Sequence, residues 1–211
     1  MSKILKILKR TKAITTDSHI VLTSGKHSSK YLNKDALYPH TKEVSLVGKM
    51  IARKYKDKEI DAVIGPAMGG IILSQWTAYH LTRLKKKEVL GGYSEKDENN
   101  NQVFKRGYDR LVKHRKVLVV EDFTTTGGSV KKTVESVKVL DGEVIGVCVM
   151  VNRNPKEVTS ITIGAPFKAL GVFSADAYDE KKCPMCQAKI PINTKLGHGR
   201  EYLKLKRLKR A

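Results

Sequence analysis

The chain has 211 residues, of which 40% are hydrophobic and 29% are charged, as in a folded globular protein rather than a disordered one. No apolar run approaches the roughly 18 residues that a membrane-spanning helix requires, so we expect no membrane partner. Lysine and arginine total 41 against 21 acidic residues, a net charge of +20. This excess favours an anionic partner or substrate, but it also fits a lysine-rich soluble protein.

The first sixteen residues, MSKILKILKRTKAITT, place isoleucine and leucine at helical spacing among basic residues. An organelle-targeting segment would show the same basic, amphipathic character. It would also be rich in serine and arginine, which this stretch is not. The pattern therefore favours an amphipathic first helix of the folded domain.

Short apolar runs rich in β-branched residues alternate with stretches of helical spacing along the rest of the chain. The runs predict strands over residues 60–65, 87–93, 116–121, 143–151 and 160–164. The helical spacing predicts helices over residues 41–57, 69–87 and 127–141. Such alternation predicts an α/β fold with a central, mainly parallel sheet flanked by helices. Ligands bind such sheets at the carboxyl ends of the strands.

The segment YSEKDENNNQVFKRGYDR, residues 93–110, is polar and joins the second and third predicted strands. A solvent-exposed hairpin explains it. A mobile lid over a binding site is compatible with the same hairpin and would use Lys96, Lys105 and Arg106.

The stretch EDFTTTGGS follows the third strand, so that Glu121 and Asp122 end a buried strand, where an unpaired charge is costly. Two neighbouring carboxylates there can accept hydrogen bonds from two sugar hydroxyls. The turn from Thr124 to Ser129 leads into a helix, where hydroxyls and backbone amides surround an anion. The combination predicts a sugar-phosphate site.

Three cysteines are too few for a disulfide scaffold. Cys148 lies in an apolar run and is expected to be buried. Cys183 and Cys186 form one C-x-x-C pair, which supplies two of the four ligands of a structural zinc site, and His198 or a second subunit would have to add more. We favour a reduced or incidental pair over zinc.

The run of four apolar residues, two acids, one apolar residue and TTTGGS resembles the phosphoribosyl pyrophosphate (PRPP) signature of the type I phosphoribosyltransferases. The resemblance implies the type I phosphoribosyltransferase fold with a small N-terminal hood segment. It assigns the ribose hydroxyls to Glu121 and Asp122, and the 5′-phosphate to Thr124, Thr125, Thr126, Gly127, Gly128 and Ser129.

Three further segments resemble the orotate phosphoribosyltransferases of that family: residues 22–41, the loop within residues 64–75, and VMVNRN at 149–154. By resemblance, the loop residues Ala67, Met68 and Gly69 contact PRPP, and orotate is contacted by Lys26, Tyr31, Thr125 and Arg153. A guanidinium fits a carboxylate in a bidentate manner, which suits Arg153 to this task. Alternatively, Lys26 belongs to a hairpin tip, Tyr31 to the core, and Arg153 to a surface ion pair.

The resemblance implies the reaction of orotate with PRPP to give orotidine 5′-monophosphate and pyrophosphate, a step of pyrimidine biosynthesis, in a cytoplasmic homodimer. Mg²⁺ would be held mainly by PRPP, without direct protein ligands. The implied catalytic residues are Lys96, Asp122, Lys105 and Arg106. We expect a phosphoribosyltransferase domain over residues 1–180, with the hood over about residues 1–40, and a basic extension with the C-x-x-C pair over residues 181–211. We expect no fused decarboxylase domain.

Two alternatives remain open. The first is a phosphoribosyltransferase for a purine or another pyrimidine. The second is a non-catalytic regulator that binds nucleic acid through its positive charge, although no helix-turn-helix, zinc-finger or aromatic RNA-binding motif is legible. We therefore expect small-molecule substrates rather than nucleic acid.

Overall fold

The computed structural model describes residues 2–22 and 24–208. Its N-terminal segment begins with helix α1 (Lys3–Arg10), which buries Ile4, Ile7 and Leu8 in the core and thereby confirms the predicted first helix. Four short strands follow: β1 (Ile14–Thr15), β2 (Ile20–Val21), β3 (His27–Ser28) and β4 (Tyr31–Leu32). They form two antiparallel pairs, β1 with β4 and β2 with β3. A 3₁₀ turn, Lys34–Ala36, completes the segment.

The centre of the molecule is a six-stranded sheet. Its strands are β5 (Ala62–Pro66), β6 (Leu90–Lys96), β7 (Gln102–Val103), β8 (Lys116–Thr124), β9 (Glu143–Asn152) and β10 (Phe167–Val172). Their order across the sheet is β10-β9-β8-β5-β6-β7, and every neighbouring pair is parallel except β6 with β7. The predicted α/β fold with a mainly parallel sheet is confirmed.

Helices cover both faces of this sheet. Helices α2 (Thr41–Lys54) and α3 (Gly69–Lys85) pack in one core, and α4 (Gly128–Val139) packs in the other. Along β8, Leu118 and Val120 belong to the first core, and Val117 and Val119 to the second. Strands of a parallel sheet are apolar on both sides because both sides are covered in this way.

The prediction of a strand over residues 160–164 is wrong. Ser160–Ile163 forms a single helical turn, α5. Thr159 caps its start through reciprocal hydrogen bonds with Thr162, and Gly164 ends it with φ of +74°. The fifth parallel strand, β10, begins at Phe167 instead.

The polar segment between β6 and β8 is a hairpin, as predicted. β6 and β7 pair antiparallel through Glu95 and Lys96, and the Asp97 carboxylate accepts hydrogen bonds from the backbone amides of Asn99 and Asn101 at 2.9 and 2.7 Å. The hairpin packs against α4, where Lys132 Nζ donates to the Asn100 carbonyl at 2.7 Å.

After β10 the chain returns to the N-terminal segment and then forms a 3₁₀ turn (Glu180–Lys182) and helices α6 (Pro184–Gln187) and α7 (Gly199–Leu208). Tyr178 and His27 exchange backbone hydrogen bonds of 2.7 and 2.8 Å. The last three residues of the expected extension, 209–211, lie outside the described residues. In the part of the chain that the structure describes, no helix combines the length and apolarity needed to cross a membrane.

Candidate active site

Strand β8 ends in the two acidic residues that the sequence singled out. The side chains of Glu121 and Asp122 are buried, and their residues are only 8% and 6% exposed. The Tyr38 hydroxyl donates a hydrogen bond to Asp122 Oδ2 at 3.0 Å, and Glu121 Oε1 accepts one from the Asp122 amide at 2.9 Å. The pair is therefore held in place before any substrate binds.

Burial raises the pKa of both carboxyl groups. Repulsion from Asp122 raises the pKa of Glu121 further, whereas the nearby cation Lys34 acts in the opposite direction on both. Removal from water makes the ionised pair costly, so that hydroxyl donors from a ligand would stabilise it.

The loop after β8 surrounds a small polar cavity of about 190 Å³. Gly127 takes φ of +77°, and its amide donates to Thr124 Oγ1 at 3.0 Å. Helix α4 begins at the next residue, so its free N-terminal amides adjoin the cavity. The lining residues are Glu121, Phe123, Thr124, Thr125, Thr126, Gly127, Gly128, Ser129 and Val130. The structure thus brings the predicted ribose and phosphate groups together.

The loop between β5 and α3 contacts the acid pair. Gly69 accepts a hydrogen bond from the Tyr38 hydroxyl at 2.8 Å, and a Cβ atom on Gly69 would lie 1.7 Å from Asp122 Oδ2. The Ala67–Met68 peptide bond is cis, and the Met68 side chain is exposed. Of the predicted PRPP residues in this loop, Gly69 adjoins Asp122 and has no room for a side chain, and Ala67 and Met68 directly precede it in the chain.

Arg153 directly follows β9. Its backbone amide donates a hydrogen bond to the Thr124 carbonyl at 2.8 Å, which links it to the loop after β8. Its side chain is half-buried, and burial lowers the pKa of the guanidinium, which nearby Tyr31 partly offsets. Among the described residues, no acid forms an ion pair with Arg153. The alternative of a surface ion pair is therefore not supported.

Lys26 and Tyr31 occupy different surroundings. Tyr31, in β4, is half-buried beside Arg153. Lys26, in the turn before β3, places its Nζ 3.7 Å from Asp179 Oδ1, at the return of the chain from β10. The structure thus associates Tyr31, but not the ammonium group of Lys26, with Arg153.

The predicted lid cations are not in contact with the acid pair. Glu95 lies 3.9 Å from the Lys105 ammonium and 3.3 Å from the Arg106 guanidinium, while Lys96 is exposed at the end of β6. In the described chain, none of the three makes a hydrogen bond or ion pair with Glu121 or Asp122.

Sequence reasoning did not single out Tyr38 or Lys34. Both belong to the N-terminal segment and act on Asp122, 84 and 88 positions further along the chain. A tyrosine before a proline carries no local signal for such a contact, and only the folded chain brings it to the strand end.

The fold and the site together define the class of protein. A mainly parallel sheet carries two buried acids at the end of a central strand, followed by a threonine- and glycine-rich loop around an anion-sized cavity. This is the type I phosphoribosyltransferase architecture.

Comparison with known proteins agrees with this assignment of the fold. Residues 33–163 match the family model described as a phosphoribosyl transferase domain. The orotate phosphoribosyltransferase of Caldanaerobacter subterraneus subsp. tengcongensis is 37% identical over 190 residues, which cover 90% of this chain and 94% of that protein. The chain belongs to the phosphoribosyltransferase family, in its orotate phosphoribosyltransferase branch.

Solved structures share the fold. An orotate phosphoribosyltransferase of Mycobacterium tuberculosis, in complex with Fe(III) dicitrate, has a TM-score of 0.64 at 21% identity and covers 81% of this chain and 96% of its own. The same enzyme in complex with PRPP has a TM-score of 0.60 at 20% identity, with 81% and 94% covered.

Proposed function

We propose that this chain transfers the 5-phosphoribosyl group of PRPP to orotate, forming orotidine 5′-monophosphate and pyrophosphate. The observation that carries the choice of orotate is Arg153, a half-buried guanidinium without an acid partner among the described residues, tied by its backbone to the phosphate loop. A half-buried guanidinium is stabilised by an anion, and the planar carboxylate of orotate matches its geometry.

The ribose and its phosphate would use the buried pair and the loop. Glu121 and Asp122 accept hydrogen bonds from the ribose hydroxyls, and Thr124 through Ser129 hold the 5′-phosphate at the start of α4. Ala67, Met68 and Gly69 contact the pyrophosphate. Thr125 contributes both to the phosphate contact and, with Tyr31 and Arg153, to orotate. Lys26 remains a proposed orotate contact that would require its ion pair with Asp179 to open.

In the reaction, a ring nitrogen of orotate forms a bond to the anomeric carbon as the bond from that carbon to the pyrophosphate oxygen breaks. The pyrophosphate leaves with the electron pair of the broken bond, and the orotate nitrogen releases its proton to solvent. The protein positions the two anions and requires no covalent intermediate. Asp122 orients the ribose at the reacting carbon.

We also propose that Mg²⁺ accompanies PRPP, where it would offset the growing charge of the leaving pyrophosphate. The end of β8 supplies two neighbouring carboxyl groups, those of Glu121 and Asp122. Such a site fits an ion that is held mainly by diphosphate oxygens and water.

Lys96, Lys105 and Arg106 would supply further positive charge at the pyrophosphate. Within one chain they lie on the hairpin against α4, and Glu95 pairs with two of them. We propose that the chain forms a homodimer in which the hairpin serves the neighbouring site. Helix α3 offers a surface for this contact, since Ile72 and Tyr79 share one face and are 37% and 48% exposed.

Arg153→Ala tests the choice of base. We expect its KM for orotate to rise roughly 10- to 150-fold, the loss of a charge-assisted contact of about 1.5–3 kcal/mol, while the KM for PRPP changes little. The KM of Arg153→Lys for orotate should lie between those of the native protein and Arg153→Ala. Arg200→Ala, which removes an exposed arginine of α7, is the matched control. Equal losses for both substrates would contradict the assignment of Arg153 to orotate.

A further inference from the structure

Four side chains from the N-terminal segment and the C-terminal extension meet at one point. They are His19, His27, Cys183 and Cys186, and their ligand atoms all lie within 4.8 Å of one another. The C-x-x-C pair thus meets two histidines of the N-terminal segment, rather than the His198 considered from the sequence. Two nitrogens and two sulfurs form a complete ligand set for a structural zinc ion.

The distances fit tetrahedral coordination. Zinc bound at about 2.0–2.1 Å to nitrogen and about 2.3 Å to sulfur would separate a nitrogen from a sulfur by about 3.6 Å. His19 Nε2 lies 3.7 Å from Cys183 Sγ and 3.6 Å from Cys186 Sγ, and His27 Nδ1 lies 3.3 Å from Cys186 Sγ. The two nitrogens are closer, at 2.8 Å, so an ion between them requires a shift of a few tenths of an ångström.

The hydrogen bonds of His19 set its tautomer. Its Nδ1 lies 2.7 Å from the Ile190 carbonyl oxygen, which can only accept, so Nδ1 carries the proton and Nε2 presents its lone pair to the cluster. A metal-bound histidine commonly donates its other ring N–H to a carbonyl in this way. His27 presents Nδ1 to the same point, and its Nε2 is buried without a hydrogen-bond partner.

The cluster is closed to solvent on most sides. His19 and His27 are 2% and 0% exposed, and Cys183 is 0% exposed. Structural zinc sites are closed in this manner, whereas catalytic sites keep an open position.

The cluster also joins two distant parts of the chain. His19 directly precedes β2 and His27 begins β3, while α6 and the residue before it contribute the cysteines. Backbone hydrogen bonds already connect these parts, from Asn193 to His19 at 2.7 Å and from His198 to Val21 at 2.8 Å. An ion there would fix the C-terminal extension to the segment that carries Tyr38 and Tyr31.

We propose that His19, His27, Cys183 and Cys186 bind one structural zinc ion that holds the C-terminal extension against the N-terminal segment. The site is separate from the Mg²⁺ that accompanies PRPP, and the proposal stands whichever base the chain uses. Both thiols bind as thiolates, so two protons are released to solvent on metal binding.

The test is the metal content of the purified full chain expressed in zinc-containing medium, measured by mass spectrometry. We expect about one zinc per chain in the native protein and in Cys148→Ala, which removes a buried thiol of the core. The double variant Cys183→Ser with Cys186→Ser should lose the zinc. A chelator should lower the Tm of the native chain and leave that of a folded double variant unchanged.

If the double variant does not fold, Co²⁺ replacement in the native chain gives the answer without it. Tetrahedral cobalt with two thiolates absorbs strongly in the visible range, and its absorption should appear at one cobalt per chain and be abolished by competing zinc. Zinc-free protein that gains neither zinc nor this absorption on titration would overturn the proposal. So would a Cys183–Cys186 disulfide in the isolated chain, or full zinc retention in a folded double variant.

Discussion

The burial of Glu121 and Asp122 has a cost to the stability of the fold. Two neighbouring carboxyl groups are buried at the end of β8, and burial raises the pKa of each. A group whose folded pKa is raised stabilises the fold at low pH and loses that contribution as the pH rises through the folded pKa. At neutral pH, above the ordinary pKa of both carboxyl groups, the raised pKa values therefore weaken the folded state relative to low pH in the absence of substrate.

Glu121→Gln should increase the stability of the substrate-free protein at pH 8. The neutral amide removes the repulsion and the buried charge, and we expect a gain of about 1 kcal/mol, or roughly 2–4 °C in Tm for a chain of this size. The difference in Tm between the variant and the native protein should disappear as the pH falls through the raised pKa of Glu121 towards its ordinary value of 4.5.

Thermal unfolding from pH 8 down to pH 5 measures this difference. Glu135→Gln, at an exposed position of α4, is the control and should show no such trend. The same Glu121→Gln variant should bind PRPP more weakly, since a ribose contact is lost. A variant less stable than the native protein at pH 8 would contradict the assignment of a destabilising buried charge.

How far the sequence predicts this site depends on the distance between its parts along the chain. Glu121, Asp122 and the Thr124–Ser129 loop are consecutive, so their arrangement follows from one strand, one turn and one helix start. Tyr38 reaches Asp122 across 84 positions, and His19 reaches Cys183 across 164. Contacts of that kind depend on how the N-terminal segment folds over the sheet, for which no local pattern exists.

At the level of the elements, the approach of the β5–α3 loop to β8 fixes the geometry of Asp122. A Cβ atom at position 69 would lie 1.7 Å from its carboxylate, and one at position 65 would lie 2.2 Å from the Gly70 carbonyl oxygen. Glycine at these positions lets the loop come close enough to share the Tyr38 hydroxyl with Asp122.

Gly69→Ala should displace the Asp122 carboxylate and reduce kcat/KM for PRPP by roughly 100-fold or more, the result of lost positioning at the reacting centre. The reaction rate at varied PRPP concentration measures the effect, and circular dichroism checks that the variant is folded. A folded variant with native kinetics would show that this close contact is not needed for the reaction.

The spacing of apolar residues predicts one short element wrongly. Residues 160–164 have the short β-branched run of a buried strand, yet Thr159 and Gly164 cap them into a helical turn. Short apolar runs do not distinguish a strand from a helical turn by period alone, so the flanking residues decide. The longer strands and helices were predicted well because several turns or pairs of residues repeat the same pattern.

Lys96→Ala tests the hairpin as a catalytic element. If its ammonium group stabilises the leaving pyrophosphate, kcat should fall roughly 10- to 100-fold while the KM for PRPP changes less. Lys86→Ala, outside the hairpin at the end of α3, should keep native kinetics. A native kcat in the Lys96→Ala variant would remove this residue from the reaction.

At the scale of the whole molecule, the high positive charge suits a protein whose substrates and products are all anions. Two of the hairpin cations pair with Glu95, and none contacts Glu121 or Asp122 among the described residues, so we propose that a complete site needs a second chain. Closed two-fold symmetry would then give two sites, each built from both subunits.

Mixing two variants of reduced activity tests this arrangement. Lys96→Ala and Asp122→Asn, exchanged at random into dimers, should regenerate about a quarter of the native sites, because half of the dimers are mixed and each holds one intact site. Sedimentation of the mixture establishes that dimers are present. Dimers that form but recover no activity would mean that each hairpin serves its own chain.

The most direct test of the proposed function is the absorbance of orotate after the purified chain is mixed with PRPP and Mg²⁺. We predict that the absorbance falls as orotidine 5′-monophosphate forms, and that Asp122→Asn abolishes or strongly slows the change. No loss of orotate, together with consumption of PRPP in the presence of adenine, another purine or uracil, would contradict the choice of base. No turnover with any base would contradict the catalytic function itself.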